Sequence, residues 1–122
     1  MKKNCSRWKK RKELYNKIVS LIPARGGSKG IPHKNLYHIN GKPLIEYMID
    51  VSIRCKYIGK ENTYVCTDDP MIKKFCIECK GIQVIDEPAE LAGDNIALEQ
   101  VMEYFTERID YDIIALLQPT SP

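Results

Sequence analysis

From residue 18 onward, short apolar runs alternate with longer segments whose apolar positions recur at helical spacing. Residues 18–24 (IVSLIPA) are a continuous β-rich run leading into a polar, glycine-rich loop, which predicts a strand buried on both faces. Pro43 opens a helical stretch over 43–55, with Leu44, Met48 and Val51 at i, i+4 and i+7. Residues 62–67 (NTYVCT) predict a second strand. Asp69 and Pro70 then read as an N-cap and first helical position, for a helix over 71–80 with Ile72, Phe75, Cys76 and Cys79 on one stripe. Gly81 is placed to close that helix, and 82–86 (IQVID) predict a third strand. Leu98, Val101, Met102 and Phe105 mark a third helix after the loop 87–95, and 112–117 (DIIALL) a fourth strand.

The order β-α-β-α-β-α-β, without repeats, predicts an α/β fold: a parallel sheet with helices on both faces. Ligands of such sheets sit beyond the carboxyl ends of the strands, so the loops after residues 24, 67, 86 and 117 are the ones to inspect. Strand four runs out only five residues before the chain does, which makes the sequence look interrupted at that face.

Charge divides the chain in two. Residues 1–17 hold eight Lys/Arg and one acid, net +7, whereas the remaining 105 residues hold 11 bases and 15 acids, net −4. The overall +3 therefore belongs to a basic N-terminal extension over 1–17 rather than to the globular part over 18–122. With one aromatic, Trp8, and no sustained apolar face, the extension reads as a solvated arm; neither nucleic acid nor a membrane surface is an expected partner. Its charges continue to Lys17, where a secretory signal needs an apolar stretch. No apolar run approaches the ~20 residues of a membrane span. Five cysteines without an export signal read as reduced thiols in a cytoplasmic protein. Cys76 and Cys79 form a C-x-x-C, but no second pair completes a tetrahedral zinc site, and both are expected in the core.

Chemistry concentrates in residues 24–35, ARGGSKGIPHKN. Gly26, Gly27 and Gly30 let backbone N–H groups approach a ligand closely. Arg25 is able to grip phosphate oxygens in a bidentate fashion, Lys29 and Lys34 add point charges, and Ser28 a hydroxyl donor. The loop suits a di- or triphosphate. It is neither a Walker A loop nor a G-x-G-x-x-G fingerprint.

Residues 22–36 (IPARGGSKGIPHKNL) closely resemble the N-terminal signature of the acylneuraminate cytidylyltransferases. Residues 40–44 (NGKPL), Thr67–Asp68, 87–94 (EPAELAGD) and 116–122 (LLQPTSP) resemble further motifs of that family, in order, over residues 18–122. The resemblance implies a Rossmann-like three-layer sandwich of nucleotide-diphospho-sugar transferase type, here its N-terminal nucleotide-binding portion. It implies transfer of CMP from CTP to a sialic-acid-type nonulosonic acid with release of pyrophosphate, and Mg²⁺ as cofactor. Arg25, Ser28 and Lys34 match residues that hold phosphates, Arg25 and Lys34 in a catalytic role. Gly26, Gly27 and Lys29 share the loop, and Asn35 and Gln118 match nucleoside contacts. Asp68 and Asp94 are expected to make loop or cap hydrogen bonds, and His33 is read as a loop residue.

The sequence departs from the family in three places. The family has arginine where this chain has Glu87, and serine where it has Leu98, both at the base. The Asp-x-Asp that holds Mg²⁺ in the family, its sugar-acid site and its dimerising segment have no counterpart in the 122 residues. A chain of this extent is expected to bind nucleotide without synthetase activity. The alternative is a degenerate nucleotide-binding module. The first loop does not match that of the related enzymes for an eight-carbon sugar acid, and the sugar acid is not selected by these residues.

Overall fold

The computed structural model describes residues 17–26, 34–91 and 97–118. Strand β1, Ile18–Pro23, is the first described element and lies inside the sheet, with Val19, Leu21 and Ile22 fully buried. A two-residue hairpin follows, β2 (His38–Ile39) against β3 (Lys42–Pro43). Its turn is Asn40-Gly41, at φ 52° and 82°, the positive angles that a tight hairpin turn requires and that this dipeptide tolerates. The sequence analysis did not anticipate this hairpin.

Helix α1 (Leu44–Arg54) leads to β4 (Thr63–Thr67). Helix α2 (Pro70–Lys74) begins as expected: Asp69 is the N-cap, its carboxylate accepting the Met71 N–H at 2.9 Å, and Pro70 is the first helical residue. It continues as a π-helical stretch, Phe75–Lys80, closed by Gly81 at φ 63°. Strand β5 (Gln83–Asp86), helix α3 (Leu98–Thr106) and β6 (Ile113–Leu116) complete the described chain.

The four main strands are all parallel, in the order β5-β4-β1-β6. One face of the sheet is covered by α1 and α2, where Ile22, Val65, Ile45, Ile49, Ile72 and Cys76 pack together. The other is covered by α3, where Val19, Leu21, Cys66, Val101 and Phe105 meet. Phe105 is fully buried and stands edge-on to Tyr64, ring centroids 5.7 Å apart. The three-layer, Rossmann-like α/β architecture follows: continuous apolar strands bury both faces, and each helix turns one apolar stripe inward.

A polar thread runs through the first layer. Ser20, Ser52 and Thr63 are all buried; their hydroxyls form a chain of 2.5 and 2.6 Å contacts that ends as Thr63 donates to the Gly59 carbonyl at 2.7 Å. It ties β1, α1 and β4 together with every hydroxyl satisfied.

Two details of side-chain placement correct the sequence reading. In α1 the fully inward positions are Ile45, Ile49 and Ser52, one residue later than the Leu44, Met48 and Val51 stripe, and Val51 is 52% exposed. Apolar residues occupy more than half of this helix, so periodicity alone left its phase loose; the hydroxyl chain through Ser52 decides it. On α2, Cys76 is buried but Cys79 is exposed. The change to i→i+5 winding at Phe75 turns Cys79 out of the stripe that 3.6-residue spacing assigns it to. Burial pushes the Cys76 and Cys66 thiols up to about 12, as inert core thiols should be.

Candidate functional site

The ladder register determines what meets at the carboxyl ends of the strands. Pro23 pairs with Cys66, and Cys66 with Ile85. The bonding continues past the last paired residues, as the Ala24 N–H donates to the Cys66 carbonyl and the Glu87 N–H to the Thr67 carbonyl, both at 2.9 Å. One step further along, Arg25, Asp68 and Glu87 form a row across the exits of β1, β4 and β5. On the other side of β1, Leu117 N–H donates to the Leu21 carbonyl, and Gln118 follows at the exit of β6, exposed.

The row is tied by short-range bonds. The Gly26 N–H donates to Asp68 Oδ1 at 2.8 Å, the loop hydrogen bond expected of that aspartate. Gly26 is buried so close to β4 that a Cβ there would lie 2.6 Å from the Asp69 Cβ, so only glycine fits. Asp69, 3% exposed, receives further support as its N–H donates to Thr67 Oγ1 at 3.0 Å. Asn35, in the short 3₁₀ turn Lys34–Leu36, is 4% exposed; its Nδ2 donates to the Arg25 carbonyl at 3.2 Å, while its Oδ1 has no hydrogen-bond partner among the described residues.

Glu87, which stands where the resembling family has an arginine at the base, is the residue whose burial the sequence did not indicate. It is 9% exposed. Burial pushes its carboxyl up to about 7, the neighbouring Asp68 charge adds to the rise, and Arg25 draws it back. The signal was available in principle: Glu87 follows β5 at the same step as Asp68 follows β4.

Of the expected site residues, the structure brings Arg25, Gly26 and Asn35 together beside Asp68 and Glu87. Gln118 stands at the same end of the sheet without a described contact to them. Gly27, Ser28, Lys29, His33 and Asp94 lie outside the described residues, as does the side chain of Lys34. Leu98 is half-buried at the start of α3.

Among the described residues no three His, Cys, Asp or Glu side chains group as metal ligands. Asp68 already accepts the Gly26 N–H, and Arg25 supplies the positive charge beside Glu87. This donor set does not fit a resident Mg²⁺. A polar cavity of about 390 Å³, lined by Lys17, Asn62, Asp110, Tyr111 and Asp112, lies at the opposite end, where β1, β4 and β6 begin. No described helix is long and apolar enough to cross a membrane.

Comparison with known proteins identifies the family and the fold. The N-acylneuraminate cytidylyltransferase of Streptococcus agalactiae serotype V is 36% identical over 107 residues, covering 87% of this chain and 26% of that protein. The protein of the same name from Escherichia coli O18:K1:H7 is 36% identical over 110 residues, again covering 26% of its length. The chain thus spans about a quarter of the length of these relatives. Among solved structures, CMP:2-keto-3-deoxy-manno-octonic acid synthetase complexed with CTP superposes with a TM-score of 0.70 at 27% identity, over 84% of this chain and 40% of that one. A cytidylyltransferase from Leptospira borgpetersenii, 21% identical with a TM-score of 0.59, shares the fold. The family model described as cytidylyltransferase matches residues 19–122, and the chain belongs to that family.

Proposed function

We propose that this chain carries the nucleotide-binding part of a CTP-dependent nucleotidyltransferase that passes CMP to a sialic-acid-type nonulosonic acid and releases pyrophosphate. The observation that carries the reading is the exit of β1. A loop with Arg25, Lys29 and Lys34 among three glycines leaves the central part of a parallel sheet at the end where such sheets bind nucleotides, and Gly26 pins its start to Asp68. Identity of 36% to N-acylneuraminate cytidylyltransferases supports the sugar-acid class.

Nucleotidyl transfer needs little covalent help from a protein; positioning and charge stabilisation dominate. In the proposed site the backbone N–H of Gly27 and the Ser28 hydroxyl cradle phosphate oxygens, while the Gly26 N–H, donated to Asp68, anchors the start of the loop. Arg25, Lys29 and Lys34 offset the negative charge that builds as the acceptor hydroxyl attacks the α-phosphorus and pyrophosphate departs. Asn35 and Gln118 hold the nucleoside.

Backbone NMR of the 122-residue chain titrated with CTP tests the reading. Saturable shifts concentrated at residues 24–36, 67–69, 87–88 and 117–118 are expected. Shifts confined to the cavity at Lys17 and Asp112, or none, would remove it.

A further inference from the structure

The hairpin β2–β3 pairs only two residues on each strand, too few to hold a fixed place by its own ladder. It is fastened to α1 instead. Lys42, on β3, donates to Asp50 Oδ2 at 2.5 Å and lies 4.8 Å from the centre of the Tyr47 ring, whose hydroxyl donates to the Ile39 carbonyl on β2. The other Asp50 oxygen, Oδ1, accepts from Lys80 at 2.7 Å, and Lys80 also donates to Glu46 Oε2 at 2.9 Å. Asp50 therefore meets both cations, joining the hairpin to the end of the π-helical stretch, whereas Glu46 meets only Lys80 among the described residues. The Asp50 and Lys80 side chains are each 17% exposed, so the cluster is more than a surface ion pair. Burial works against the Asp50 charge, but the hydrogen bonds from Lys42 and Lys80 outweigh it and hold the carboxyl below its ordinary range. The cluster is ionised at neutral pH.

The core does not depend on this cluster, because α1 is seated on the sheet by Ile45 and Ile49, both fully buried. What the cluster fixes is the hairpin, and the hairpin follows directly on the second end of the glycine-rich loop. That end is the turn Lys34–Leu36, whose Leu36 packs against the same layer as Ile45 and Ile49. The next residue, Tyr37, accepts the Leu44 N–H at its carbonyl at 2.9 Å, which closes the hairpin between the turn and α1. Asn35 is buried in the turn, and its Oδ1, without a partner among the described residues, serves a ligand only when it is aimed correctly. The Gly26 bond to Asp68 anchors the first end of the loop to β4; the clamp on the hairpin anchors the second. Building on the nucleotide-site reading above, we propose that Asp50 is a positioning residue for that site: through Lys42 it holds the hairpin on α1 and so fixes the place of the turn that carries Lys34 and Asn35. It touches no ligand. It keeps the binding-competent arrangement the populated one, and apparent affinity falls by whatever fraction of that population is lost.

Calorimetric titration of the full 122-residue chain with CTP, beside urea unfolding of each variant, tests the assignment. Asp50→Asn removes the charge at the centre of the cluster, and Lys42→Met removes the cation from the hairpin at a partly exposed position that folding tolerates. Each is expected to weaken CTP binding by about three- to thirtyfold, the range for residues remote from a ligand. The double variant is expected to match the weaker single variant to within about twofold, because both break one link. Lys42→Arg keeps the ion pair and is expected to bind within about twofold of wild type. Glu46→Gln loosens the tie to Lys80 without touching Lys42, and its affinity is expected to stay within the same limit whatever it costs in stability. The nucleotide-free chain gives a second reading: the backbone NMR signals of Asn35 and Leu36 are expected to shift in Lys42→Met and to stay in place in Glu46→Gln. A merely structural cluster lowers stability and leaves affinity alone. Wild-type binding with unchanged affinity in Lys42→Met and Asp50→Asn therefore overturns the proposal by itself, as does an equal loss in Glu46→Gln or a turn whose signals Lys42→Met does not move. A wild-type chain that binds no CTP overturns the nucleotide-site reading, and the proposal with it.

Discussion

Replacing Gly26 with alanine sets a Cβ 2.6 Å from the Asp69 Cβ, 2.7 Å from its Oδ2 and 2.8 Å from its Cγ, separations that non-bonded carbon and oxygen atoms do not tolerate. Something must move, and both available movements are costly. If the backbone of residue 26 withdraws, the 2.8 Å bond from its N–H to Asp68 is lost. If Asp69 withdraws, α2 loses the cap on Met71 from a residue only 3% exposed. Overpacking of a tight site costs about 1–3 kcal/mol, and loss of an aspartate cap about 1 kcal/mol more. Gly26→Ala should therefore destabilise the chain by roughly 2–4 kcal/mol, read by urea unfolding with an unchanged m-value. The cause is tested by a second substitution. Asp69→Gly removes the colliding Cβ, and glycine at an N-cap costs only a few tenths of a kcal/mol relative to aspartate. In that background Gly26→Ala should cost less than about 1 kcal/mol, giving an interaction energy of about 1–3 kcal/mol. Effects that add to within about 0.5 kcal/mol would refute the close-approach argument.

Glu87 makes stability depend on pH in a defined direction. Its carboxyl sits at about 7 in the folded chain against an ordinary 4.5, so its contribution is complete below pH 4.5 and is lost as pH rises through 7. The loss amounts to at most about 3 kcal/mol between pH 5 and pH 8 in nucleotide-free protein. Glu87→Gln should remove that share of the pH dependence in paired urea titrations; parallel profiles would show that the carboxyl is not titrating there. Phe105→Ala empties the centre of the α3 layer and ends the edge-on contact with Tyr64, and should cost about 3–5 kcal/mol in the same assay. A loss below about 1 kcal/mol would mean that α3 is not held by this face.

The elements most legible in the sequence were those in which several local signals agreed. Asp69, Pro70 and Gly81 each punctuate α2 through a different physical preference, and all three do so in the structure. The run 18–24 could only be a strand buried on both faces, and its end located the site. What escaped was set by tertiary context. The phase of α1 depends on Ser52 meeting Ser20 and Thr63, a contact between three segments that no local pattern encodes. Cys79 turned outward because α2 changes its winding. The hairpin was a missed local signal, since Asn40-Gly41 is a strong turn dipeptide, overshadowed by its place in a longer motif. At the candidate site, Arg25, Gly26 and Asn35 were named from residue type and motif, and the structure brings them together. Glu87 was singled out only as a carboxylate in place of the family's arginine; its burial beside Asp68 is visible only from the strand register.

The central claim is that the exit of β1 is a nucleotide-phosphate site. Titration of CTP into the wild-type chain and into Arg25→Ala, followed by calorimetry at low and moderate salt, tests it most directly. The account predicts saturable one-to-one binding that weakens with salt and falls at least tenfold in Arg25→Ala, as loss of a charge-assisted phosphate contact of about 1.5–3 kcal/mol requires. Equal affinity in the two proteins, or no binding by the wild type, would contradict it.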